Sequence, residues 1–403
     1  MPLKIGATPA DVGDMPSQAR WIGVGRSDAR DARAAADEAV GAAMAGREAA
    51  LLVLFASEDL DLPVLVRTAY AAGGGARLIG CTTAGEIAAS GPGDGGAVVL
   101  ALGGDGFAVA VEHATGIGAH PREAGAYAAT ALAAVVESEH RVLMLLSDGL
   151  RGDQQEIVRG AHSVAGAGVP LVGGCAGDDL RMAATHQFVD DQVLDDAVVS
   201  AAIGSDAPIG IGVRHGWDAV GEPMLVTAGG ANRVRELDSQ PALDVYLDRL
   251  GAPDDARTDP EAFTRFALSH PLGMARREGE EQVRWIPSAD FADRSLVTVA
   301  EVPQGALVRL MEGGIDSVLA ATDAACEDAI GALGGAAPRG LLVFDCVARR
   351  AVLGDEGIRD EVGRVAAHAA GAPVAGFYTY GEIARTRGVT GFHNKTLVVL
   401  AVA

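Results

Sequence analysis

LIGCTTAGEI (78–87), LVGGCAGDDL (171–180) and VAGFYTYGEI (374–383) are three versions of one pattern: two apolar residues, a glycine, a small or aromatic stretch, then glycine followed by an acid. The glycine–acid pairs are Gly85-Glu86, Gly177-Asp178 and Gly381-Glu382. Upstream of each lies a short run rich in Leu and Val, LLVLFAS (51–57), VLMLLSD (142–148) and LLVFDC (341–346), which reads as a strand buried on both faces. Between run and motif stands a helical segment, LPVLVRTAYAAG (62–73), QQEIVRGAHSVAG (154–166) or DEVGRVAAHAAG (360–371), closed by a glycine stop. Another strand follows each motif: AVVLAL (97–102), AVVSAAI (197–203) and TLVVLAV (396–402).

The pattern extends upstream as well. WIGVG (21–25), FAVAVEHA (107–114) and ALVRLMEG (306–313) read as strands, each preceding an Ala-rich helical stretch (31–46, 121–137, 315–333). The unit is therefore β-α-β-α-β-β, present three times. Ninety-two residues separate Gly85 from Gly177 and 204 separate Gly177 from Gly381, so residues 204–304 hold either a degenerate fourth unit or an insertion. IGIGVRHGW (209–217) echoes AVAVEHATG (108–116) at its start. Strand–helix–strand order makes the middle strands parallel, and the strand after the glycine-rich turn is expected to run antiparallel. The expected fold class is α/β, with repeated units forming mixed sheets layered with helices in two pseudo-similar halves. The halves are placed at 21–225 and 226–403, with GAPDDARTDPEA (251–262) a surface excursion after the helix PALDVYLDRL (241–250).

Composition narrows the function. The 403 residues are 49% hydrophobic and 21% charged, enough to bury a core and too apolar for a disordered chain. A net charge of −22 argues against nucleic acid and anionic membrane surfaces as partners. The N-terminal stretch has no apolar core of a secretory signal, and no apolar run of about 18 residues occurs. The four cysteines, Cys81, Cys175, Cys326 and Cys346, are widely spaced and form no CxxC, so a reduced, cytoplasmic setting is expected.

Glycine before the acid permits a turn that a Cβ would obstruct, and the turn would set Glu86, Asp178 and Glu382 at strand ends, where open α/β sheets bind ligands. The alternative is that each carboxylate caps backbone N–H groups in its own loop. The third copy is richest. Tyr378 and Tyr380 fall on one face by alternation and Phe377 on the other, beside Glu382, while Cys346 and Arg349 follow the upstream strand. Arg349 offers a fork for a carboxylate, Glu382 a partner for an amine, and Tyr378 a rigid wall, which suits an α-amino acid. Arg349, Tyr378 and Glu382 are thus expected to face one cavity, unless Arg349 pairs with Glu382 or Glu361 as a structural clasp. Hydrolase, zincin and P-loop signatures are missing from the sequence. No HxH or HxxxH spacing marks a metal site; no cofactor is expected, with His215 the one candidate axial ligand for a haem. Cys81 or Cys175 would be the nucleophile of an amidase- or hydrolase-like alternative.

Taken together and in order, these segments resemble the FIST family, the F-box and intracellular signal transduction sensory domains. The resemblance rests on LIGCTTAGEI, LVGGCAGDD, VRHGW and VTAGGANRVRELDSQPALDVYL, then FDCVARRAVLG, APVAGFYTYGEI and FHNKTLVVLAV. It implies an N-terminal and a C-terminal FIST module, a cytoplasmic, non-enzymatic sensory role and small ligands such as amino acids. Some members resemble haem proteins that sense nitric oxide, which is the basis of the haem alternative at His215. With no output module in the sequence, signalling would run through a separate partner protein.

Overall fold

The computed structural model describes residues 19–275, 281–386 and 391–403. The three Leu- and Val-rich runs become the strands Leu51–Ala56, His140–Ser147 and Gly340–Cys346, at the centre of three six-stranded sheets. Each pairs in parallel with the strand carrying the head of its repeat motif: Arg77–Thr82, Leu171–Cys175 and Val374–Thr379. The strand after each motif, Ala97–Gly103, Ala197–Ser205 or Leu397–Val402, lies antiparallel on the other side. A mixed order of this kind follows from connection length. A crossover helix returns the chain to run parallel, whereas a hairpin reverses it.

Each sheet is completed by a hairpin from another copy. The strands Glu86–Ala88 and Gly91–Gly93 of the first copy join the third sheet beside Val374–Thr379. Gln187–Val189 and Gln192–Leu194 of the second copy join the first sheet. Glu382–Arg385 and Phe392–His393 of the third copy join the second sheet. The exchange closes a ring of three, and the inner faces of the sheets share one core. Phe55, Phe344 and Phe377 meet there, with Phe55 and Phe377 centroids 4.7 Å apart, surrounded by Met144, Leu146 and Val398. Helices cover the outer faces, among them Ala32–Met44 and Leu62–Ala72, begun by the caps Asp31 and Asp61.

Of the two readings of residues 204–304 the insertion holds, as an eight-stranded antiparallel sheet built around Asp218–Gly230, and one expectation is corrected. The strand Leu307–Glu312 belongs to that sheet, and the edge strand of the third unit is Ile209–Arg214, paired with Leu397–Val402. The half-exposed alternation of Leu307–Glu312 fits a strand with one solvent face. The fold is thus mixed α/β, with mixed sheets layered with helices. The point between residues 225 and 226 falls within the strand Asp218–Gly230. No described helix is long and apolar enough to cross a membrane.

Candidate functional site

Two of the glycine–acid turns are built alike. Thr83 Oγ1 donates to Glu86 Oε1 at 2.6 Å and accepts the Gly85 N–H at 3.2 Å, and Glu86 Oε2 accepts the Gly96 N–H at 3.3 Å. In the third copy Thr379 Oγ1 donates to Glu382 Oε1 and accepts the Gly381 N–H at 3.1 Å, and Glu382 Oε2 accepts the Thr396 N–H at 3.1 Å. Each carboxyl ties the start of its hairpin to the strand that follows. Burial pushes Glu86 up to about 7 and Glu382 up to about 8, despite these donors. The second copy departs from the pattern, because Cys175 stands where the others have Thr. Asp178 instead gathers the N–H groups of Met182, Ala183 and Ala184 at 3.0, 2.7 and 3.1 Å, and accepts the Tyr380 hydroxyl. Burial opposes this, but the Tyr380 bond and the three N–H groups together hold Asp178 below the usual carboxylate range.

Arg349, Tyr378 and Glu382 do not share a cavity. Arg349 is fully buried, pairing with Asp345 through Nε at 2.7 Å and with Glu361 through Nη2. It also donates to Thr322 Oγ1 at 2.9 Å and to the His215 carbonyl at 2.9 Å. The fork expected for a ligand is therefore a clasp inside the protein, and its partner is Glu361 rather than Glu382. Tyr378 is buried in the outer layer of the third sheet and Phe377 in the central core, as alternation requires, while Tyr380 lies beyond the strand at the turn. The Cys81, Cys175 and Cys346 thiols are buried, which pushes each well above the ordinary thiol range and leaves none activated as a nucleophile.

His215, the candidate axial ligand, is buried beside Arg349 and Arg214; burial first, then those cations, lower it to about 4. Its Nδ1 accepts the Trp217 N–H at 3.0 Å, and it lines none of the clefts described below.

The residue after Arg349 faces an open cleft of about 490 Å³ where all three copies meet. Ala84 and Asp94 come from the first copy, Asp179 and Leu180 from the second, and Val347, Arg350, Ala351, Gly354 and Asp355 from the third. The cleft opens at the carboxyl end of Gly340–Cys346, the edge of the sheet where α/β folds bind ligands. Arg350 donates to the Ala84 carbonyl at 2.6 Å and to both Asp94 oxygens at 2.8 and 3.0 Å, with its guanidinium 5.0 Å from the centre of the Tyr378 ring. Gly85 makes this reach feasible. It sits at φ +111°, and a Cβ there would stand 2.3 Å from Arg350 Nη1. Burial, then Asp94, raises Asp179 against the pull of Arg181 and Arg350.

The wall formed by the second copy is strained. Asp179, Leu180 and Met182 all have φ between +53° and +62°, and the side chains of Leu180 and Met182 are exposed. The cleft residues Arg350, Asp94, Asp179 and Asp355 were not anticipated from the sequence, although Arg350 belongs to FDCVARR and Asp179 is the second acid of GDD. Of the anticipated residues, Asp178 and Tyr380 stand next to the cleft wall, since the Leu180 N–H donates to Tyr380 Oη at 2.6 Å.

The FIST N domain model matches residues 50–240 and the FIST C domain model matches residues 242–385. An uncharacterized protein of Mycobacterium tuberculosis is 27% identical over 394 residues, which cover 93% of this chain and 97% of the relative. An uncharacterized protein of Methanocaldococcus jannaschii is 26% identical over 156 residues, which cover 37% of this chain and 30% of that protein.

Proposed function

Because the chain belongs to the FIST family of signal transduction sensory domains, we propose that it is a cytoplasmic sensor binding a small polar metabolite, an amino acid first among them, in the Arg350 cleft. The observation that carries this reading is the guanidinium of Arg350 held at the junction of three copies by an exposed carboxylate, Asp94. A ligand α-carboxylate would take the place of Asp94 on Arg350, and its ammonium would meet Asp179 and Asp355. Its side chain would lie against Val347, Ala351 and Leu180. Signalling needs two arrangements that the ligand distinguishes, and the strained wall at Asp179–Met182 is the element suited to differ between them. The output would pass to a separate partner protein.

The test is thermal unfolding of the whole chain against a panel of amino acids. A ligand at 100 times its dissociation constant adds about 2.7 kcal/mol to stability. The expected result is stabilisation by a subset of the panel that is lost in Arg350→Gln. A panel without effect, or stabilisation unchanged in Arg350→Gln, overturns the reading.

A further inference from the structure

The place occupied by the Arg350 cleft recurs in the other two sheets, because each presents the residues after its first parallel strand to a hairpin from another copy. In the first sheet that place is filled by ion pairs: His186 with Glu58 at 3.3 Å and with Asp195, and Arg181 with Asp59 at 2.6 Å. In the second sheet it is open, a cleft of about 360 Å³. Tyr380, which holds the position in its turn that Ala84 holds in the first copy, forms one wall with Phe392. The loop before the helix Gln154–Ala165 forms another, and the inserted module closes the third with Asn232 and Val299–Glu301.

The chemistry of this second cleft differs from that of the first. It is lined by two aromatic residues, by Glu301 and by Asp153, whose carboxylate caps the helix Gln154–Ala165, and no Lys, Arg or His lines it among the described residues. An aromatic wall beside negative charge selects a donor-bearing organic cation.

Tyr380 also joins the two clefts. Its ring lines the second, while its hydroxyl holds Asp178 and the Leu180 N–H, and Leu180 lines the first. We propose that the second cleft is a regulatory site for a small primary amine, acting on the Arg350 cleft through Tyr380 and the loop 178–184. The coupling rests on the reading of the Arg350 cleft as a ligand site; the amine site itself does not.

Calorimetric titration of the full chain with putrescine and with agmatine, joined to hydrogen exchange, tests this. The expected result is saturable binding of at least one amine, weakened by about tenfold or more in Glu301→Gln and in Ala300→Trp, which fills the cleft without touching the charge. Arg350→Gln is expected to leave amine affinity within about threefold, a change of under 1 kcal/mol. Amine binding is expected to change exchange protection across 178–184 in the wild type and not in Tyr380→Phe, which keeps the ring and removes the hydroxyl. Absence of binding by both amines, or binding that neither Glu301→Gln nor Ala300→Trp weakens, overturns the site. Binding with no change across 178–184 overturns the regulation. Amine binding that behaves as expected beside an amino-acid panel without effect removes the Arg350 reading and leaves the amine site standing.

Discussion

Arg349 and Arg350 are neighbours in the chain and opposites in the structure. Arg349 has no exposed surface and stands among Asp345, Glu361 and Thr322, so every polar contact it makes is spent on the protein itself. Arg350 keeps 23% of its side chain exposed and faces the cleft, tied to a carboxylate that is itself 65% exposed. Burial, then the charge of Glu361, pushes Asp345 well up against the pull of Arg349. A buried ion cluster is costly to break and uninformative about ligands, whereas a half-exposed pair contributes little to stability and can exchange partners. The same division separates the three acids of the repeat. Glu86 and Glu382, each with its Thr partner, close turns; Asp178, with Cys175 in place of that Thr, is free to organise the strained wall of the cleft.

The largest effect that would break the contrast is expected at Arg349. Arg349→Ala leaves Asp345 and Glu361 without their cation and is expected to cost about 3–5 kcal/mol in urea unfolding. A loss below about 1 kcal/mol would mean that the cluster is not a clasp.

Glu382 comes next, through pH. A carboxyl raised to about 8 keeps in the folded state a proton that the unfolded chain sheds above 4.5, so it makes stability decline as pH rises between those values. Glu382→Gln is expected to flatten that decline, by up to about 1 kcal/mol per pH unit, in unfolding measured at pH 5, 6.5 and 8. Parallel curves for variant and wild type would show that the carboxyl is ionised throughout.

A smaller effect sharpens the contrast from the cleft side. Gly85→Ala places a Cβ in the left-handed region and against Arg350, with an expected cost of about 1–3 kcal/mol and loss of the ligand response with it. Retention of both would show that Arg350 does not depend on this turn. The smallest change in stability is expected for Arg350→Gln, under about 1 kcal/mol because its pair with Asp94 is exposed. A melting temperature that falls as far as in Arg349→Ala would erase the distinction between the two arginines.

Much of the architecture was legible in the residues. Apolar runs of fixed order, helical stretches with terminal glycines and a motif repeated at regular spacing identify three α/β units, because those signals act over a few residues at a time. The antiparallel return after each motif was legible for the same reason. Tertiary structure alone decided where the hairpins went. Their pairing partners lie in other copies, some as far apart as Glu86 and Phe377, and short strands carry no local mark of the sheet they will join. It also decided which arginine meets solvent. Adjacent residues on a helix point about 100° apart, and the phase of the helix that begins at Val347 is set by packing of the third sheet and Ile315–Gly331 against it. FDCVARR names two arginines beside a strand end; only the packed molecule turns Arg349 inward to its carboxylates and Arg350 outward to the cleft.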